Sequence, residues 1–143
     1  MTESMVVTKW IEATLEEVYD AWTDPALMSR WFFVSDGWRT KMTADLKVGG
    51  GFRIEMETDR GEHLVSTGTY LALQPPTHLS FSWSSYAVRD TTVTIDLAPE
   101  GNGTRLTLTH HGLPSVDLVD RHANGWTATL NNLLRVAGSN PTS

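Results

Sequence analysis

The sequence predicts an α+β fold in which a curved antiparallel sheet of six or seven strands surrounds a long C-terminal helix, with two short helices after the first strand. Through the middle of the chain, apolar residues alternate with polar ones in short segments separated by glycine- and proline-containing turns, a pattern typical of strands. From Val116 onward the apolar spacing changes to three and four residues, which indicates an amphipathic helix. The short turns favour antiparallel neighbours, because parallel strands need crossovers of about a dozen residues or more.

The N-terminal segment predicts one strand and two short helices. Thr14 and Glu17 are spaced as a capping box, in which each side chain bonds the backbone amide of the other residue. Asp24 directly precedes Pro25, and proline at the first position of a helix loses no hydrogen bond. We therefore expect a strand over residues 6–13 and helices over residues 15–23 and 26–31.

The period of two begins near Lys41 and is clearest from Phe52 to Glu57, where apolar and charged residues alternate. On this phase Glu55 and Glu57 point outward as solvated charges rather than as an acid–base pair. The preceding run Gly49-Gly50-Gly51 lacks the Lys-Ser/Thr of a phosphate-binding loop and leads into a strand, so we expect a tight turn or bulge. Four further strands are expected over residues 62–73, 78–86, 91–98 and 104–111.

The C-terminal helix is expected over residues 116–137. Ser115 is a suitable N-cap residue, and Gly138 is suited to end the helix. Its apolar stripe is long and separated from the charged and polar positions, as an amphipathic helix requires. The stripe contains Leu118, Val119, Ala123, Trp126, Leu130, Leu133 and Leu134.

Composition excludes several classes of function. The 143 residues fit a single domain, which we expect to span residues 1–143. A formal charge of −6 without a Lys/Arg-rich stretch argues against nucleic-acid binding, and no apolar run reaches the about 20 residues of a membrane helix, so membrane insertion is not expected. With no cysteine, disulfides are excluded, which agrees with a cytoplasmic location.

Several short motifs, each a turn glycine or a core aromatic, resemble one protein family in their order and spacing. The chain looks like the family similar to the C-terminal domain of the activator of heat-shock-protein-90 ATPase, within the START and birch-pollen-allergen superfamily. The resemblance covers nearly the whole chain and implies the helix-grip fold. Its motifs are Ile11-Glu12-Ala13, the run from Val18 to Pro25, Trp31-Phe32, the run from Gly49 to Arg53, Gly68-Thr69-Tyr70, the run from Leu79 to Trp83, the run from Gly103 to His110, and Gly125-Trp126.

The inward-facing residues of the later strands form an apolar wall opposite the C-terminal helix. Taken singly, each residue fits plain core packing better than a pocket. For the set, the resemblance favours a ligand cavity, because the sheet of a helix-grip fold curves too strongly for one helix to fill it. An empty void of ~300 Å³ would cost about 7 kcal/mol, so we expect the cavity to be narrowed by aromatics, hydrated or occupied.

We therefore predict binding of a small apolar or amphipathic molecule in an internal cavity. No cofactor and no metal are expected, since no metal-binding spacing such as HxH or HExxH occurs. The expected ligand-binding residues are Trp31, Phe33, Trp38, Phe52, Ile54, Tyr70, Phe81, Trp83, Ile95, Leu108, His110, His122, Trp126 and Leu130.

Two other classes of function stay open. In the first, an enzyme of the cyclase or hydrolase kind, His110 or His122 moves protons in the pocket, whereas the adjacent His111 points outward. In the second, an interaction module, the aromatics from Trp31 to Trp38 form a contact patch for a chaperone or a homodimer. The alternative for the same aromatics, Trp31, Phe32, Phe33 and Trp38, is a lid over the pocket. The co-chaperone action of the resembled family belongs to a longer two-domain architecture.

Overall fold

A computed structural model describes residues 3–34, 37–85 and 87–138 and confirms the predicted α+β class, here with seven strands. Two short helices follow the first strand, and a long helix follows the last strand. The elements are β1 (Glu3–Ile11), α1 (Leu15–Thr23), α2 (Pro25–Trp31), β2 (Arg39–Ala44), β3 (Gly51–Glu57), β4 (His63–Gln74), β5 (His78–Trp83), β6 (Thr91–Glu100), β7 (Gly103–Leu113) and α3 (Val116–Gly138).

The seven strands form one antiparallel sheet in the order β1-β7-β6-β5-β4-β3-β2. From β2 to β7 each strand pairs with its neighbour in sequence, as expected for a meander. The first strand pairs with the last, so that Ile11 lies opposite Thr104. The Thr104 hydroxyl donates to the carbonyl of Ala13 at 2.8 Å, which fixes the start of α1 against the sheet.

The predicted N-terminal caps of the three helices are present, whereas α3 includes Gly138, the residue expected to end it. The Glu17 amide donates to the Thr14 hydroxyl at 3.1 Å, and the Thr14 amide donates to the Glu17 carboxylate at 3.0 Å. Asp24 accepts from the amide of Ala26 at 2.9 Å. Ser115 accepts from the third amide of α3 at 3.2 Å. The helix bounds therefore follow the sequence signals closely.

Several strand bounds differ from the prediction. Strand β1 spans Glu3–Ile11 rather than residues 6–13, because the chain turns where the Ala13 amide donates to the carbonyl of Ile11. The segment after Lys41 forms two strands, β2 and β3, and the glycine run is part of the tight connection between them. A Cβ on Gly50 would lie 2.1 Å from the carbonyl oxygen of Asp45, so this turn requires glycine. Strand β5 ends at Trp83 rather than at Tyr86, which lies outside the described residues. Beyond Trp83 the chain turns, because the Ser85 amide donates to the carbonyl of Val88.

The core lies between the inner face of the sheet and the three helices, and aromatic rings fill much of it. Their ring centroids lie 4.8 to 6.3 Å apart in an unbroken series of contacts. The rings belong to Trp22, Trp31, Phe32, Phe52, Tyr70, Phe81, Trp83 and Trp126. In the described part of the chain, no helix is long and apolar enough to span a bilayer.

Candidate functional site

A pocket of about 160 Å³ remains between α3 and the sheet, beside the C-terminal end of α2. It is lined by one face of α3, by the ends of α2 and β5, and by two inward residues of β3 and β4. The lining residues are Phe32, Val34, Met56, Ser66, Trp83, Ser85, Ala87, Leu118, Arg121, His122, Gly125, Trp126 and Thr129.

The helix contributes a face with helical spacing. Leu118, His122, Gly125 and Thr129 succeed one another at three- and four-residue steps, so their positions lie along one side of α3. Gly125 has no side chain, and a Cβ at this position would meet no atom within 4 Å. A glycine in mid-helix costs about 1 kcal/mol relative to alanine, and at this position it leaves open space along the pocket wall.

The floor of the pocket is aromatic and buried, whereas its rim is exposed. The rings of Trp83 and Trp126 lie with centroids 5.3 Å apart, and Phe32 contacts both rings at 5.7 Å. Val34 and Arg121 at the rim are exposed, the side chain of Arg121 to 73%. The apolar wall and the helix therefore pack directly at one end and stand apart at the other.

A chain of hydrogen bonds connects the two tryptophans. The indole N–H of Trp126 donates to Nδ1 of His110 at 3.1 Å. Nε2 of His110 lies 2.8 Å from the Thr91 hydroxyl, which donates to the carbonyl of Trp83 at 2.7 Å. Because Nδ1 accepts, the proton of the neutral imidazole must be on Nε2. This chain of hydrogen bonds, Trp126–His110–Thr91–Trp83, is called the relay below. It restrains the ring of Trp126 and the backbone carbonyl of Trp83.

The environment of His110 favours the neutral ring that this relay needs. The side chain is fully buried, and burial, with smaller contributions from His122 and His111, lowers the pKa of His110 to about 3. Both ring nitrogens are occupied by hydrogen bonds. His110 is therefore built as a structural connector, and the residue carries no free position from which to move a proton.

His122 lies on the pocket wall instead. Its Nδ1 donates to the carbonyl of Leu118 at 2.8 Å, and its ring stands edge-on to His110 with centroids 5.0 Å apart. Since a carbonyl can only accept, the neutral ring carries its proton on Nδ1, and Nε2 can accept from a ligand. Of the two histidines predicted for an enzyme, His122 alone lines the pocket. His111 is exposed and bonds Ser4, as predicted for its outward phase.

The structure brings three of the predicted ligand-binding residues to this pocket, namely Trp83, His122 and Trp126. Most of the others are buried in the core beside or behind the floor. Those buried elsewhere are Trp31, Phe52, Ile54, Tyr70, Phe81, Ile95, Leu108, His110 and Leu130, whereas Phe33 and Trp38 are half-buried.

Of the remaining pocket residues, Phe32 was predicted only as part of a pocket lid or a contact patch, and the others were not predicted. Arg121 lies outside the predicted apolar stripe of α3, and it reaches solvent from the rim of the pocket. Ser66 lies on the inward phase of β4, where a small polar residue among apolar ones was an available signal. Gly125 appeared only as part of the Gly125-Trp126 motif, although a glycine on the inner side of a helix indicates open space or close packing.

Two other predicted features are an aromatic patch, which lines the pocket only through Phe32 and Val34, and an outward carboxylate. The patch from Trp31 to Trp38 is not uniformly exposed, because Trp31 and Phe32 are buried and Trp31 donates to the carbonyl of Ala21. Glu55 is an outward charge, and its hydrogen bond from Arg53 lowers the pKa of its carboxyl. Within the described ranges, no group of three or more His, Cys, Asp or Glu could hold a metal ion.

A second interior feature is a set of buried polar atoms on α1 and β4. The hydroxyls of Tyr19 and Tyr70 and the indole nitrogen of Trp22 have no hydrogen-bond partner in the described part of the chain. Burial, together with Tyr19, raises the pKa of Tyr70 to about 12. Both phenols therefore remain neutral at physiological pH. None of the three residues lines the pocket.

The chain is similar to one family over most of its length. The family model described as Activator of Hsp90 ATPase homolog 1-like protein matches residues 12–138. No match is found among curated proteins. A crystal structure of a protein from Chromobacterium violaceum is 25% identical over 96% of this chain and 98% of that chain, with a TM-score of 0.87.

Two further solved structures have similar values. The AHSA1-like protein from Aeromonas hydrophila is 29% identical over 94% of this chain and 91% of that chain, with a TM-score of 0.82. The protein CalU16 from Micromonospora echinospora is 28% identical over 96% of this chain and 78% of that chain, with a TM-score of 0.74.

Proposed function

The chain belongs to the family of Activator of Hsp90 ATPase homolog 1-like proteins, and from that premise we propose that its pocket binds a small apolar or amphipathic molecule. The ligand has a body about the size of one aromatic ring. The single observation that carries this proposal is the pocket of about 160 Å³ with Trp83, Trp126 and Phe32 as its floor. A cavity of about 150 Å³ in another protein binds benzene, which sets the scale.

The lining chemistry supports an apolar body with few polar anchors. Aromatic and aliphatic side chains supply the buried surface, and Ser66, His122 and Thr129 supply single polar groups. Burying one ring of roughly 150 Å² at ~25 cal/mol per Å² yields about 4 kcal/mol before the entropy cost of association. Since about 4 kcal/mol corresponds to about 1 mM before that cost is subtracted, we expect weak binding, with dissociation constants of about 1 mM or higher unless polar contacts add to it.

The relay supports the same proposal, because it restrains the pocket wall. If the indole of Trp126 could rotate freely, the ring could fill the space beside Gly125. Its N–H is bound to His110, so this rotation would leave a buried donor without a partner at a cost of about 1–3 kcal/mol. The pocket is therefore preformed, which lowers the ordering cost of binding.

The test fills the pocket from the helix. In Gly125→Leu, the new side chain extends from a position with no atom within 4 Å of its Cβ and occupies the space of the ligand. We expect a titration with indole or toluene to change the tryptophan fluorescence of the wild-type protein but not that of Gly125→Leu. Gly125→Ala is the matched control, because it improves helix propensity by about 1 kcal/mol while adding one methyl group.

Both variants are expected to fold, as circular dichroism and thermal unfolding will check. Gly125→Ala retains binding in this account. Equal responses of wild-type protein and Gly125→Leu would place the ligand elsewhere and contradict the proposal. An absence of response in the wild-type protein across a panel of one-ring compounds would contradict it as well.

A further inference from the structure

The rim of the pocket carries one cation, Arg121, directly above an apolar floor. Arg121 and Asp117 form an ion pair across one turn of α3, with the Nε of Arg121 3.3 Å from a carboxylate oxygen. Among the residues the structure describes, the side chain of Arg121 makes this ion pair and no hydrogen bond.

The guanidinium has five donors in a rigid planar arrangement, which matches the two oxygens of a carboxylate. Resting on the proposed function, we infer that the ligand is a small carboxylic acid whose one-ring apolar body lies on Trp83 and Trp126 while its carboxylate pairs with Arg121 at the rim. A monocyclic arylalkanoic acid has both of these parts.

The ion pair with Asp117 does not prevent a ligand carboxylate from pairing with Arg121 in its place. The two side chains are 73% and 76% exposed, and exposed ion pairs one helical turn apart contribute only about 0.3–0.5 kcal/mol. A ligand carboxylate beside the apolar floor is partly shielded from water, so its pairing with Arg121 is stronger than that of the exposed Asp117. Asp117 competes for the guanidinium and repels the ligand, and it therefore weakens binding.

The overall charge of the chain does not decide whether the pocket binds an anion. A formal charge of −6 disfavours anions at long range, but interactions beyond about 8 Å are largely screened at physiological ionic strength. The nearest charges then determine recognition. On the pocket lining, Arg121 is the one Lys, Arg, Asp or Glu in the described part of the chain.

The two members of the ion pair allow substitutions with opposite expected effects. We choose 3-phenylpropionate as the anionic probe and 3-phenylpropionamide as its neutral isostere. In the wild-type protein, the acid is expected to bind about tenfold more tightly than the amide, a difference of about 1.4 kcal/mol. Arg121→Gln removes this preference. Asp117→Asn increases it about two- to threefold, because the competing carboxylate is gone.

The measurement is isothermal titration calorimetry with both probes on the wild-type protein, the two rim variants and Gly125→Leu. Both rim positions are exposed, so neither substitution should alter the fold, and the amide should bind all three proteins with open pockets equally. If acid and amide bind the wild-type protein with equal affinity, or if neither rim substitution changes their ratio, the inference is overturned.

That failure is distinguishable from failure of the proposed function. Binding of the amide that is blocked by Gly125→Leu would leave the pocket as an apolar binding site without a carboxylate anchor. If neither probe, nor indole, nor toluene binds the wild-type protein, the proposed function falls, and the identity of the anchor falls with it.

Discussion

His110 bonds Trp126 directly and reaches the carbonyl of Trp83 through Thr91. The protonation state of this one residue therefore affects the stability of the fold and the proposed binding in the pocket. Its neutral ring accepts from Trp126 and lies within hydrogen-bonding distance of Thr91. Protonation would put a hydrogen on Nδ1 and turn the bond from Trp126 into a contact between two donors. Burial of the charged ring, with smaller contributions from His122 and His111, lowers the pKa of His110 to about 3.

The stability of the fold is expected to decrease in acid because of His110. The pKa of His110 falls from 6.5 to about 3 on folding, so between these values the unfolded chain binds a proton that the folded chain does not. The free energy of unfolding therefore decreases as pH falls through this window, by up to about 1.4 kcal/mol per pH unit from this group. Urea unfolding at steps from about pH 7 to about pH 4.5 measures the slope.

His110→Leu isolates the contribution of this ring, because the acidic residues are unchanged. We expect the variant to be less stable at pH 7 by about 1–3 kcal/mol, since the Trp126 donor loses its acceptor, and to lose part of the acid slope. His111→Leu is the control, because that side chain is exposed and bonds only Ser4 among the described residues. An acid slope in His110→Leu as steep as in the wild-type protein would refute this account of His110.

Among the elements, β4 approaches both of its neighbouring strands closely at Gly68, which lies against the backbone of β5 and the Phe52 ring of β3. A Cβ on Gly68 would lie 1.9 Å from the carbonyl oxygen of Ser82 and 2.5 Å from the ring of Phe52. The Phe52 ring therefore lies against the backbone of β4, where it contacts Phe81 and Tyr70. This arrangement places an aromatic ring in the core next to the pocket floor.

The second prediction follows from this close approach. Gly68→Ala should lower the free energy of unfolding by about 3 kcal/mol or more, because a backbone oxygen and an aromatic ring must both move. Gly51→Ala, on the paired strand, is the control, since its Cβ would lie 3.6 Å from the nearest atom. Chemical denaturation measures both variants. A loss for Gly68→Ala no larger than that for Gly51→Ala would show that the packing of Phe52 is not as described.

Local signals explain which elements could be predicted from the sequence. The helices follow from residues within one turn of their ends, such as Thr14, Asp24 and Ser115, and their bounds agree with the structure. Strand ends are set by partners distant in sequence. The alternation from residue 78 continues past Trp83, but β5 ends there. Ser84 makes a single bridge to Thr67 of β4, and the Ser85 amide then bonds the carbonyl of Val88 within a turn.

At the scale of the whole molecule, the pocket depends on how far the aromatic side chains fill the space between sheet and helix. The predicted wall and helix are present, yet Trp22, Trp31 and Phe32 occupy much of the interior expected for a ligand. The sequence indicates which residues face inward. The pocket volume, however, is the small difference between the large volume enclosed by sheet and helices and the large volume of the side chains that fill it. For this reason, three of the predicted contact residues line the pocket, while most of the others are packed in the core. Arg121 was left outside the predicted apolar stripe of α3 and was not predicted as a pocket residue.

The remaining space has an energetic consequence. A dry void of about 160 Å³ would cost about 4 kcal/mol, a large part of the 5–15 kcal/mol that stabilises a domain. Water entering at the exposed rim reduces this cost, and an apolar occupant reduces it further. A ligand that fills the pocket should therefore stabilise the fold by RT ln(1 + L/Kd), where L is the free ligand concentration.

A one-ring apolar body is proposed to occupy the space between Trp83, Trp126 and Gly125. Diffraction from crystals soaked in iodobenzene tests this proposal. We expect an anomalous iodine peak inside the pocket, with the phenyl ring within about 4 Å of the Trp83 or Trp126 indole. We also expect this peak to be absent in Gly125→Leu. Iodine found only at the surface, with the Trp126 ring turned away from His110 into the pocket, would contradict the claim.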